Sequence, residues 1–428
     1  MTSQAPRIAL FGLFGGSNFG NEASIDAFLF HLRKRLPDAQ IACIAPHDSS
    51  VSQDYGLTPI PIDPLPAGEF LWRIRPPALR RAARRATQLV TELLRLRRAR
   101  AMLHGFDLLA VPGTGIFDDF GQGPMDMPLH LLRWSTAARS NGVALCHVSV
   151  GAAEVHSALS RAIFRRAAAL STYRSFRDFA SKRHIRRIGF AALGDPVCPD
   201  LAFSLPPEQF PAGPQATWPP RHIGVGVMGY YGWKNSPRAG EVVYRDYLAK
   251  ITTFVQWLLA RGHSVRLLTG DAKADAQPVR DLQAAMCDDA AAREGRLICE
   301  PIRSYRQLMR QIVLTDMVVA TRFHNVLLAL LLQRPVLSVG YTDKNDALME
   351  EMGLGAYCQD IESLDAQALI RQFNALTAMP VPPTAAIRRK VEQYRSRLEQ
   401  QYDLIFPAPS RPISNDGPIL DSARRAAC

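Results

Sequence analysis

The segment Thr321-Arg322-Phe323-His324-Asn325 carries the most chemistry for its length. It follows an apolar run and opens an apolar helical stretch, so it sits where a strand ends and a helix begins. Free backbone N–H groups at such a junction suit an anion. Arg322 adds a planar guanidinium that matches carboxylate or phosphate, and Asn325 adds a second polar donor. His324 titrates near neutral pH and can give or take a proton. The plain alternative is a structural ion pair and a helix cap, and residue type alone leaves both open.

Other segments could join this one. Residues 15–22 hold Gly15, Gly16, Asn18, Gly20, Asn21 and Glu22 ahead of a helical pattern. Glycines there let backbone approach a ligand, but neither GxGxxG nor Gly-Lys-Ser/Thr is present. Glu22 could take protons, or could simply complement the helix dipole. Arg177-Asp178 with Ser181, Asp271, and Tyr341-Thr342-Asp343-Lys344 each follow a strand-like run. Arg177 and Lys344 are further candidates for an anion; a surface arginine and a solvated lysine are the alternatives. Asp118 and Asp119 follow the turn Gly113-Thr114-Gly115. Paired loop aspartates are usually turn formers, so no metal site is expected.

These residues need elements to position them. Apolar runs at 7–13, 40–45, 107–111, 143–150, 171–176 and 190–193 read as strands, with helical spacing between several of them. Proline-rich residues 206–220 interrupt the pattern. It resumes with strands at 222–228, 264–269, 316–320 and 336–339. Alternating strands and helices predict parallel sheets, here two doubly wound Rossmann-like α/β domains facing across a cleft. The expected division is 1–205, a linker at 206–220, a second domain at 221–383, a charged helix at 384–406 and a disordered tail at 407–428. A basic helical insertion at about 73–104 carries ten arginines between 73 and 100, with Glu92 the single acid there. Such a helix suits an anionic membrane surface, or is a solvated helix packed on its domain.

Composition narrows the classes. The net charge of +12 favours anionic partners. No nucleic-acid motif is present, so none is expected as partner. The seven cysteines form no CxxC pair, which argues against a disulfide framework and a zinc site. No signal peptide or membrane-spanning run is recognisable, so a cytoplasmic protein is expected, peripheral on the inner face of the membrane if residues 73–100 bind lipid.

The ordered segments together resemble the polysaccharide pyruvyl transferase family. Residues 12–23 look like its Asn-x-Gly-Asp/Asn-x-Ala loop, and Phe176-Arg177-Asp178 with Ser181 matches its Arg-Asp-x-x-Ser element. Asp195 and Asp200 fall where the family often has aspartates. Arg322-Phe323-His324, Pro335 and Tyr341 to Lys344 are similar to its Arg-x-His, Pro-Val and Tyr-x-x-Lys signature. Pro112 and Thr114 depart from its Asp-x-x-x-x-Gly-Gly-Gly segment. The resemblance implies a GT-B-like fold and no cofactor. It implies phosphoenolpyruvate as donor and a pyruvyl ketal placed on a sugar of a surface glycan or its lipid-linked precursor. It maps donor-site roles onto Arg322, His324 and Arg177. Alternatives are a sugar-nucleotide glycosyltransferase on the same fold and a non-catalytic scaffold in glycan assembly.

Overall fold

The computed structural model describes residues 5–12, 14, 18–46, 54–65, 77–119, 122–232 and 238–406, with the side chains of 77–89 excepted. Gly15, Gly16, Arg73, Arg75, the side chains of Arg80, Arg81, Arg84 and Arg85, and the expected tail at 407–428 therefore lie outside what is described.

Residues 7–176 build one parallel sheet. Its elements are β1 (Arg7–Phe11), α1 (Phe19–Arg35), β2 (Gln40–Ala45), β3 (Thr58–Pro61), α2 (Pro77–Met102), β4 (Leu108–Pro112), α3 (Met127–Ser140), β5 (Ala144–Val150), α4 (Ala158–Ala169) and β6 (Tyr173–Phe176), and α5 (Phe179–Arg187) follows. A second parallel sheet is built by β7 (His222–Gly226), α6 (Gly240–Ala260), β8 (Ser264–Leu268), α7 (Ala276–Ala285), α8 (Ala290–Arg293), β9 (Leu297–Ile298), α9 (Tyr305–Ile312), β10 (Met317–Ala320), α10 (Phe323–Leu331), β11 (Val336–Gly340), α11 (Asp343–Glu351) and β12 (Cys358–Asp360). α12 (Ala366–Thr377) and α13 (Thr384–Ile405) end the described chain.

The strand orders are β3-β2-β1-β4-β5-β6 and β12-β11-β10-β7-β8-β9. Counted from its own first strand, each sheet has the same doubly wound order. Each reverses direction once, between β1 and β4 and between β7 and β10, and ligands of such sheets bind beyond the strand ends at that reversal. The central strands are buried on both faces, which is why they read as unbroken apolar runs.

The edges are where sequence reading fell short. β3 is Thr58-Pro59-Ile60-Pro61, and its prolines are tolerated because it pairs only with β2. β9 and β12 are two and three residues long. The strand expected at 190–193 is not formed. Leu193 is 73% exposed, and Val197 makes only a single bridge to Phe176.

One apolar core is continuous between the two sheets. It joins α1, the 3-10 turn Leu201–Ser204, α10 and α13. α13 returns from the second sheet to lie against the first. There Tyr402 stacks on His31 at 4.4 Å between ring centroids, and its hydroxyl meets Ser204 Oγ at 2.9 Å. Gln401 Nε2 donates to Ser149 Oγ, and Tyr173 Oη donates to Gln401.

Candidate functional site

The two reversal points face each other across a cavity of about 470 Å³. Its lining comes from loops after β1, β4, β5, β6, β7, β8, β10 and β11. Arg177, Arg322, Phe323, His324, Tyr341 and Lys344 form one continuous region of it.

Arg322 stands at the N-cap of α10 in extended conformation. Its Nε and Nη2 donate to the fully buried Asp275, the shortest contact being 2.6 Å. Burial opposes the charge on Arg322, but Asp275 outweighs it and holds the guanidinium firmly protonated. Asp275 also accepts from Gly270 N and Asp271 N at 2.9 Å. Arg322 is thus a fixed ion-pair partner, not a loose cation. A guanidinium has five N–H donors, and this pair leaves its Nη1 side for a ligand.

His324 lies one residue on, its Nε2 3.6 Å from Asp200 Oδ2. That is an ion-pair distance, too long for a good hydrogen bond. Burial pushes the imidazole below its usual range; Asp200 pulls it back up, while Arg177 and Lys344 push it further down. The ring is seated against Gly20 so closely that a Cβ on that residue would lie 1.9 Å from His324 Nδ1.

Arg177 follows β6 and reaches Asp200 Oδ2 through Nη1 at 3.2 Å. Its guanidinium lies 4.8 Å above the Phe323 ring, and Lys344 Nζ lies 5.8 Å from the same ring centroid. Lys344 also donates to Tyr341 Oη at 3.0 Å. Burial tends to raise the Tyr341 phenol, but Lys344, Arg322 and Arg177 together carry it below its ordinary value. Asp200 is buried, which alone would raise it; His324, Arg177 and the Ala202 N–H hold it lower. Three cations and a histidine therefore converge, with carboxylates behind them.

Several expected residues have other surroundings. Asn325 is fully buried and does not line the cavity. It is turned under the strand ends, where Cβ atoms on Gly226 and Gly270 would lie 2.8 and 2.6 Å from its amide. Glu22 is also outside the lining. It is half-buried, pushed up to about 7 chiefly by burial, with Asp54 and Asp271 adding to the rise and the Tyr305 backbone opposing it. Asn18 lines the cavity and caps α1, accepting from Gly20 N at 2.9 Å, and Asn21 lines it beside. Asp178 caps α5 by accepting from Ser181 N, so only Arg177 of that pair faces the cavity. Asp119 accepts from His156 N and Ser157 N, and Asp271 from Lys273 N and Ala274 N, as turn formers do. Asp118 lines the cavity. Sequence reasoning passed over Asp275 and gave Asp200 no role. Asp200 sits among the aspartates of the resemblance, which was the available signal; Asp275 offered none beyond its position after β8.

No curated protein matches the chain by sequence. Among solved structures, a glycosyltransferase from Rickettsia africae superposes with a TM-score of 0.59 at 8% identity, covering 94% of this chain and 98% of its own. A UDP-GlcNAc 2-epimerase from Methanocaldococcus jannaschii gives 0.54 at 11%, covering 90% and 99%. The epimerase from Neisseria meningitidis bound to UDP-GlcNAc gives 0.53 at 12%, covering 92% and 100%. At such identities the likeness speaks for the fold, which is GT-B. The family profile for polysaccharide pyruvyl transferases, by contrast, matches the sequence itself over residues 18–343, from the Asn18 cap to the first residue of α11, and the chain belongs to that family.

Proposed function

We propose that this protein transfers the pyruvyl group of phosphoenolpyruvate to two hydroxyls of one sugar in a surface polysaccharide or its lipid-linked precursor, forming a ketal. The observation that carries this reading is the convergence of Arg177, Arg322 and Lys344 around Phe323 and His324 in one cavity. The donor bears a carboxylate and a phosphate, and three held cations suit both. His324 protonates the methylene carbon, and the central carbon becomes cationic. One sugar hydroxyl adds there and loses its proton. The C–O bond to phosphate breaks, a second hydroxyl closes the ring, and its proton balances the departing phosphate. Asp118, on the cavity wall, takes the proton-accepting part that Glu22 was expected to play.

Donor binding helps its own chemistry. A dianion against Arg177 and Lys344 cancels two influences that keep His324 deprotonated. The imidazole therefore gains proton affinity in the complex. The exposed Val90, Leu93 and Leu94 of α2 support a docking of this helix on an anionic membrane, where a lipid-linked acceptor would be presented.

Acceptor-dependent phosphate release from phosphoenolpyruvate tests the reading. His324→Ala should lower kcat by about 10²–10⁴-fold. kcat/KM should fall as pH rises, and the corresponding limb in kcat should lie at higher pH. Release at the wild-type rate by His324→Ala removes the assigned role. Stabilisation by UDP or GDP and none by phosphoenolpyruvate points instead to a sugar-nucleotide transferase.

A further inference from the structure

The cationic region accounts for one part of the cavity. Another part is walled by Thr114, Ile116, Asp118 and Gln122 from the loop after β4, and by Tyr230 and Tyr231 from the loop after β7. Among the described residues, the lining's arginines and lysine all belong to the first part. The second part offers neutral hydrogen-bonding groups and aromatic rings with one carboxylate.

Two observations point to a ligand there. Thr114 is only 3% exposed and its hydroxyl has no hydrogen-bond partner; Gln122 Oε1 and Thr342 Oγ1, also in the lining, are buried without partners as well. Unpaired buried polar groups are costly and uncommon, so three around one cavity call for hydroxyls brought from outside. The second observation is aromatic. Tyr231 is 44% exposed, and one face of its ring is stacked on Tyr244 at 4.9 Å and 20°. Tyr244 is itself fixed, donating from Oη to Asp281 at 2.6 Å. Tyr231 is thus a propped ring with a face to offer.

We propose that this compartment is the acceptor subsite and holds one uncharged pyranose ring. The C–H bonds of one sugar face lie on Tyr231, whose π-face is electron-rich, and sugar hydroxyls pair with Thr114 and Gln122. The word acceptor rests on the pyruvyl-transfer reading; the sugar site itself does not. An uncharged ring also separates the roles of the two compartments, since the donor's anionic groups are drawn to the cations and away from Asp118.

Saturation-transfer NMR with the methyl glycosides of glucose, galactose, mannose, N-acetylglucosamine and N-acetylmannosamine tests this. Thermal shift with phosphoenolpyruvate is run on the same samples. At least one glycoside should bind. Tyr231→Ala should weaken it about tenfold and Thr114→Val about threefold, with Tyr231→Phe close to wild type. The phosphoenolpyruvate shift should persist in all three variants, which also shows that they fold. If no glycoside binds, or binding is unchanged in both Tyr231→Ala and Thr114→Val, the subsite is overturned, and the donor reading stands where the phosphoenolpyruvate shift is seen. If glycosides bind as expected and phosphoenolpyruvate does not, the pyruvyl-transfer reading falls and the sugar site stands.

Discussion

At Glu22 burial outweighs the usual preference of a carboxylate for charge. Its carboxyl is pushed up to about 7, mainly by desolvation. The folded protein therefore binds a proton there that the unfolded chain has already lost above the ordinary carboxylate range. Stability from this group is present at low pH and is lost as pH rises toward 7. Glu22→Gln imitates the protonated form. It should match the wild type near pH 4 and be the more stable protein at pH 8. In full burial the shift would carry about 3 kcal/mol, and screening by solvent at this half-buried position reduces that to about 1 kcal/mol. Thermal melts at the two pH values check it; a gap that is equal at both removes the argument. The same burial lowers His324 instead of raising it, because the uncharged form of an imidazole is the one that has lost its proton.

At the scale of elements, α1 carries its N-terminus into the second sheet's territory. Asn18 bridges to Asp271, and Phe19 N donates to Gly270 O at 3.1 Å. This docking brings Gly20 under His324. Gly20→Ala should leave α1 intact, because alanine favours helix, yet its methyl would occupy the imidazole's place. kcat should fall about 100-fold, as small displacements of reacting groups do. Phosphate release together with a circular dichroism spectrum checks it, and unaltered turnover would show that the ring need not sit there. Gly20 was legible in the sequence only as a flexible loop residue, because its neighbour comes from an element some three hundred positions later. The cations were legible for a different reason. Arg177, Arg322 and Lys344 follow apolar strand-like runs, and strand ends of a parallel sheet face the cleft. Their carboxylates were not. Asp275 is 47 residues from Arg322 in the chain, and an aspartate before a helix is ordinary. Asn325 was misplaced because the helical phase of α10 turns it under the strands, and phase depends on where β10 stops. Central strands could be read from their apolar runs, whereas edge strands such as β3 lack that signal.

At the scale of the molecule, α13 ties the end of the described chain to its beginning. Tyr402 is fully buried against Phe28, His31 and Ser204. Tyr402→Ala should cost about 3–5 kcal/mol through the cavity and the lost ring contacts. Hydrogen exchange is the suitable measurement, since two sheets sharing a core need not unfold together. Protection should drop in α1 and the turn Leu201–Ser204 while β7, β8 and β10 keep theirs. An equal loss in both sheets would mean that α13 serves the whole molecule alike.

The return of α13 also sets a timetable for synthesis. On the ribosome the first sheet can pair its strands early, yet Phe28, His31 and Phe203 stay uncovered until residues 384–405 emerge. By then the second sheet has been made beside it. The first half is begun first and sealed last, so a stop codon just before residue 384 would leave the earliest-made part of the protein unfinished.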